Sequence, residues 1–167
     1  MLLRPLLFIF LWTTLSILPF ESSANEQMPE WQLQNSQGEV TGSSDFTGRP
    51  VVIHFWATWC PYCKKLQPGL EELKQEYANQ GIQFVAISFR EDEGALPHKT
   101  LLERGISIPT LINGDHVALE LFGVEGTPTT LFIDHTGEII GATRTSNPED
   151  PVLTKATQYL LKKYREK

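Results

Sequence analysis

The chain has 167 residues, with 20 acidic against 14 basic side chains and a formal charge of −6. That length suits one domain with a substantial core, and neither a repeat nor a low-complexity stretch argues for anything else. The acidic balance gives no electrostatic reason to expect nucleic acid or an anionic membrane surface as the main partner.

In chain order, the first segment reads as a targeting leader. Arg4 is followed by an uncharged apolar run from Leu6 to Phe20 and a small-residue exit, Ser22-Ser23-Ala24. This is the order of a secretory signal peptide cleaved after Ala24. The competing reading is an uncleaved anchor over residues 6–20. That run contains Ser16 and Pro19 and falls short of the about 20 residues a bilayer span needs. The mature chain is expected to be one domain, residues 25–167, with an N-terminal hairpin over 31–40.

In that hairpin, Gly38 supplies positive φ at the turn. "VVIHFWA" (51–57) is β-branched and aromatic throughout, the pattern of a strand covered on both faces. Leu66, Leu70, Leu73 and Tyr77 follow at helical spacing, with a kink expected at Pro68 and a stop at Gly81. A second buried strand is expected over 82–88, and an acidic loop leading to a short helix over 91–105. A brief strand over 108–112 and a short helix over 116–123 come next. Residues 129–143 read as a hairpin turning at Asp134–Gly137. The closing amphipathic helix, 150–164, has Asp150 as N-cap and Pro151 at its first position. Alternating strands and helices ending in an antiparallel hairpin predict an α/β fold with a mixed central sheet flanked by helices.

Cys60 and Cys63 are the only cysteines. A bridge over two intervening residues constrains the unfolded chain little, and a zinc site would need a second ligand pair. In an exported chain a C-x-x-C pair is instead a candidate redox centre. The strand–C-x-x-C–helix order places Cys60 at a helix N-terminus. There the free amides and the dipole stabilise a thiolate, and Pro61 loses no hydrogen bond. Cys60 is therefore expected to be the exposed nucleophile and Cys63 the buried resolving thiol. Lys64 and Lys65 read as a solvated helix face. Glu91-Asp92-Glu93 reads as a solvated loop rather than a metal site.

"VVIHFWATWCPYCKKLQP" together with "GVEGTPTTLFIDHTGEIIG" resembles the two landmarks of thioredoxin-fold proteins, the active-site segment and the cis-proline hairpin. With the export signal, the N-terminal hairpin and an insertion before the second landmark, the chain is similar to the TlpA/ResA-like thiol–disulfide oxidoreductases. The resemblance implies a cis bond at Pro128, with the Thr127 backbone pairing with a bound client. Pro109 in "GISIPTLING" mimics the same landmark, but choosing it leaves a surplus strand pair. Trp59, Pro61 and Tyr62 would form the docking surface. The resemblance also implies no cofactor beyond the Cys60–Cys63 disulfide, client proteins carrying disulfides or thiols, and a membrane redox partner. An extracytoplasmic, periplasmic and monomeric protein is expected. Pro-Tyr between the cysteines also matches glutaredoxins, which lack the FWATWC lead-in.

Two positions depart from the family. His54 stands where thioredoxins carry a buried Asp, and Leu66 stands where ResA-like chains often carry Glu. With both carboxylates missing, His54 is the candidate acceptor for the Cys63 proton; if charged, it would instead stabilise thiolate. A core histidine is the alternative. Functionally, a reductant is favoured. The alternatives are a disulfide-forming oxidase of the same fold and an extracytoplasmic copper-handling protein using His98, His116 or His135.

Overall fold

The computed structural model describes residues 26–167. The expected leader, residues 1–24, lies outside them, as does Asn25. Among the described residues no helix is long and apolar enough to cross a membrane.

A short hairpin, β1 (Gln32–Gln34) and β2 (Val40–Gly42), comes first, with Gly38 at φ 83° in its turn. Then follow β3 (Val51–Trp56), α1 (Pro61–Tyr77) and β4 (Gln83–Ser88). The inserted piece holds α2 (Pro97–Glu103), β5 (Thr110–Leu111) and a π-helical turn over Val117–Leu121. The hairpin β6 (Thr129–Ile133) and β7 (Ile139–Thr143) leads to α3 (Pro151–Arg165). The main sheet has the order β5-β4-β3-β6-β7. β4 runs parallel to both β3 and β5, whereas β6 is antiparallel to β3 and β7. This is the mixed sheet expected, with the insertion supplying its β5 edge.

β3 lies at the centre and all six of its residues are buried. Strand alternation divides them between two cores. Val51, Ile53 and Phe55 join Trp31, Phe46, Phe89 and Val124 on one face. Val52 and Trp56 join Cys63, Leu66, Leu70 and Leu160 on the other. His54 sits between Val52 and Trp56 in register, so it belongs to the face that α1 covers. The sequence left that choice open.

α1 is anchored by Leu66 and Leu70, both fully buried. Each such side chain contributes roughly 1.5–3 kcal/mol. Pro68 lies inside the helix without ending it, and the helix runs on to Tyr77. Pro68 is exposed, so water can serve the carbonyl one turn back that loses its amide partner. After one further turn, Gly81 takes φ 101°, and a Cβ there would run into the Tyr164 ring.

The entering chain covers both edges of the sheet. Ile139 N–H donates to Glu26 and Met28 N–H donates to Gly137, along β7. Trp31 then buries its ring in the core of Val51, Ile53 and Phe55, and the Gln34 carbonyl accepts Ile112 N–H just beyond β5. Edges left open would be templates for pairing with other chains.

The β6–β7 turn is locked by Asp134, which is 1% exposed. Its Oδ1 accepts the Thr136 amide (2.8 Å), the Thr136 hydroxyl (2.6 Å) and the Glu138 amide (3.1 Å). Its Oδ2 lies 2.6 Å from Lys163 Nζ, which ties α3 to the turn.

Candidate active site

Cys60 and Cys63 form a disulfide across the first turn of α1, with their Cα atoms 5.3 Å apart. Cys60 is the N-cap, Pro61 occupies the first turn, and Cys60 Sγ accepts the Cys63 amide at 3.0 Å. The sulfur thus sits at the N-terminus of a 17-residue helix, with the Cys63 amide donating to it. Such an arrangement lowers a thiol pKa and favours nucleophilic thiolate once the bond is reduced.

The expected exposure of Cys60 is not observed. Cys60 is 2% exposed and Cys63 fully buried. The exposed groups are the neighbours: Trp59 at 51% and Tyr62 at 61%, with Pro61 and the lysines 64 and 65 also open.

β3 pairs with β6 through Phe55 and Thr129, so the cysteine loop and the Thr127–Pro128 loop leave the sheet at the same end. The Thr127–Pro128 bond is cis, and among the described residues it is the one cis peptide. Pro128 is buried and Thr127 half-buried. Pro109 instead leads into the edge strand β5, its carbonyl accepting Ala86 N–H.

His54 lies under α1, 2% exposed. Its Nδ1 is 3.3 Å from Thr130 Oγ1, while Nε2 has no hydrogen-bond partner. Burial drives its pKa down to about 3. Burial thus favours the neutral ring over the charged one in the disulfide state.

Two residues that sequence reasoning passed over hold the cysteine loop. The Glu91 carboxylate accepts the Thr58 amide at 3.0 Å and the Thr58 hydroxyl at 2.6 Å. Arg104 donates to the Thr58 carbonyl (2.7 Å) and to Gln67 Oε1 (2.9 Å), with its guanidinium 5.6 Å from the Trp56 ring centroid. Burial pushes the Glu91 carboxyl up, and the Thr58 hydrogen bonds only partly offset this. Of the acidic triplet expected to be solvated, Asp92 and Glu93 are exposed and Glu91 is not. No local pattern marks Glu91, because Thr58 lies 33 residues away.

A hydrogen-bonded sulfur pair at a helix start, flanked by an exposed indole and phenol, can undergo dithiol–disulfide exchange. Comparison with known proteins agrees with this chemistry. The AhpC/TSA family model matches residues 24–142. The thiol-disulfide oxidoreductase ResA of Halalkalibacterium halodurans is 32% identical over 118 residues, covering 70% of this chain and 66% of that one. The Bacillus subtilis ResA is 29% identical, covering 71% and 65%. The chain thus spans just under two thirds of the length of these relatives. A crystal structure from Chlorobium tepidum, assigned to the DsbE type of thiol:disulfide interchange protein, superposes with a TM-score of 0.74 at 27% identity. It covers 82% of this chain and 96% of that one. A secreted Mycobacterium tuberculosis disulfide oxidoreductase shares the fold with a TM-score of 0.67 at 23% identity. On its sheet order, its paired landmarks and these matches, the chain belongs to the AhpC/TSA family and is a TlpA/ResA-like member of the thioredoxin superfamily.

Proposed function

We propose that this chain is an extracytoplasmic thiol–disulfide oxidoreductase that reduces disulfides in client proteins. The observation that carries the proposal is Cys60 Sγ at the α1 N-terminus, bonded to Cys63 and accepting its amide. In the dithiol form, Cys60 thiolate attacks one sulfur of a client disulfide. A Cys60–client bond forms and the first client thiolate leaves. Cys63, once deprotonated, attacks Cys60, and the second client thiolate leaves. The client gains two electrons and Cys60–Cys63 becomes the disulfide. A membrane redox partner would return those two electrons. Trp59, Pro61 and Tyr62 on one side, and the Thr127 backbone with Pro128 on the other, would hold the client segment.

His54 is proposed to take the Cys63 proton on Nε2, the ring atom left without a partner. Burial makes the imidazole a weak base in the disulfide state. The Cys63 thiolate formed beneath α1 would be the counter-charge that raises its basicity, so the relay belongs to the reduced protein. Replacing His54 with Asn and following the pH dependence of thiol exchange tests this role; an unchanged profile would exclude it.

The decisive experiment for the activity is trapping. Cys63→Ala should accumulate mixed disulfides through Cys60, and Cys60→Ala/Cys63→Ala should accumulate none. Absence of adducts in the single variant would overturn the reading. The reduction potential gives the direction. A value of about −200 mV or lower supports a reductant, whereas one near about −120 mV, as in a strong oxidant, would reassign the chain as disulfide-forming.

A further inference from the structure

Arg90, directly after Phe89 at the end of β4, takes φ 53°. For a residue with a Cβ this left-handed conformation is unfavourable by roughly 1–2 kcal/mol, and glycine would adopt it freely. Its main chain and side chain both have specific partners. Its amide donates to Asp115 Oδ1 at 3.1 Å, which holds the turn. Its carbonyl accepts the Trp59 indole N–H at 2.7 Å. Its guanidinium Nη1 donates to the Glu125 carbonyl at 2.8 Å, and Cζ lies 5.8 Å from the Phe89 ring centroid.

Trp59 precedes Cys60, and Glu125 lies just ahead of Thr127. One residue therefore touches both loops that frame the sulfur pair, its main chain holding the first and its side chain the second. Trp59 is half exposed, yet its indole N–H is engaged, so the ring's orientation is set by Arg90. The second loop is tied again beyond Glu125. Thr129 Oγ1 donates to the Gly126 carbonyl at 2.7 Å, and an Arg144 guanidinium nitrogen lies 2.6 Å from where a Cβ on Gly126 would sit. A glycine at 90 would hold Trp59 by its carbonyl as well as Arg90 does. What arginine adds is the bond to Glu125.

We propose that Arg90 is a positioning residue that braces the two walls of the client groove, Trp59 and the 125–128 loop, at the spacing an extended peptide needs. The inference rests on the oxidoreductase reading above and adds a selection for polypeptide disulfides over small ones. A small disulfide needs only access to sulfur, whereas a peptide must lie against both walls at once.

The test compares wild type, Arg90→Gly and Arg90→Lys on two substrates, a disulfide-bonded peptide and a small aryl disulfide. Arg90→Gly keeps the backbone conformation and removes the brace. It should raise KM for the peptide about fivefold, the worth of one net hydrogen bond, with kcat unchanged. Its turnover of the aryl disulfide and its Cys60–Cys63 potential should stay at wild-type values. Arg90→Lys, which can still donate to the Glu125 carbonyl, should recover part of the peptide KM. An unchanged peptide KM in Arg90→Gly, or an equal loss on both substrates, would overturn the brace while leaving the oxidoreductase reading intact. Wild-type protein that turns over neither substrate would overturn both, which separates the two failures.

Discussion

Glu91 and Asp134 hold loops at opposite ends of the sheet by the same device. Each carboxylate accepts the amide and the hydroxyl of a threonine, Thr58 beside the cysteines and Thr136 in the β6–β7 turn. Their acidities nevertheless move in opposite directions. At Glu91 burial dominates and the pKa rises above its ordinary 4.5. At Asp134 burial also pushes upward, but the Lys163 ammonium and the Thr136 and Glu138 donors outweigh it, and the pKa falls below 3.8. The difference is the cation. Lys163 contacts Asp134 directly, whereas Arg104 gives its hydrogen bonds to Thr58 and Gln67 and reaches Glu91 only through space. The distal turn is thus a charge-paired lock, and the disulfide end is clamped by a carboxylate with no cation bonded to it.

Linkage turns that contrast into opposite pH behaviour. Asp134, with its depressed pKa, stabilises the fold above its unfolded value, and this is lost as pH falls through the folded one. Glu91, with its raised pKa, makes a contribution that is complete below the unfolded value and is lost as pH rises through the folded one. The largest effect should come from Asp134→Ala, which leaves three donors of the turn without their buried acceptor and Lys163 with Glu138 as its one remaining carboxylate partner. Denaturant unfolding should show a loss of about 3–5 kcal/mol with the Cys60–Cys63 potential unchanged. A loss under about 1 kcal/mol would make the two carboxylates equivalent and end the comparison. Lys163→Met should cost roughly 1.5–3 kcal/mol. It should also raise the Asp134 pKa in an NMR titration, giving the distal carboxylate the behaviour of Glu91.

His54 sharpens the contrast from the catalytic face. Its folded pKa, about 3, lies below the roughly 6.5 of an unfolded histidine, so stability is complete above pH 6.5 and falls on acidification. Between pH 7 and pH 5, wild type should lose about 2 kcal/mol more than His54→Leu, measured as the difference between their unfolding curves. Glu91→Gln is the smallest. The amide keeps an acceptor for Thr58 and removes a half-buried charge, so stability at pH 7 should change by less than about 1 kcal/mol in the same melts.

The sequence reveals elements whose residues carry a period. β3 was readable because every one of its six positions is buried, and α3 because Asp150 caps it, accepting the Val152 amide at 3.0 Å. β5 is shorter than its apolar run suggested, since only Thr110 and Leu111 reach β4 before the chain turns toward the hairpin. At the site, Cys60, Cys63 and Pro128 stood out because their motifs are local. Glu91, Arg104 and Arg90 did not, because each acts on a backbone group or side chain more than 30 residues away. Such contacts leave no periodic trace. The face occupied by His54 depended on where α1 packs, which strand alternation does not specify.

The strap over residues 26–34 also has a polarity. Glu26 joins the fold beside Gly137 and Ile139, next to the distal turn, while Cys60 lies beyond the other end of β3. Glu26 and the sulfur pair are therefore at opposite ends of the central sheet.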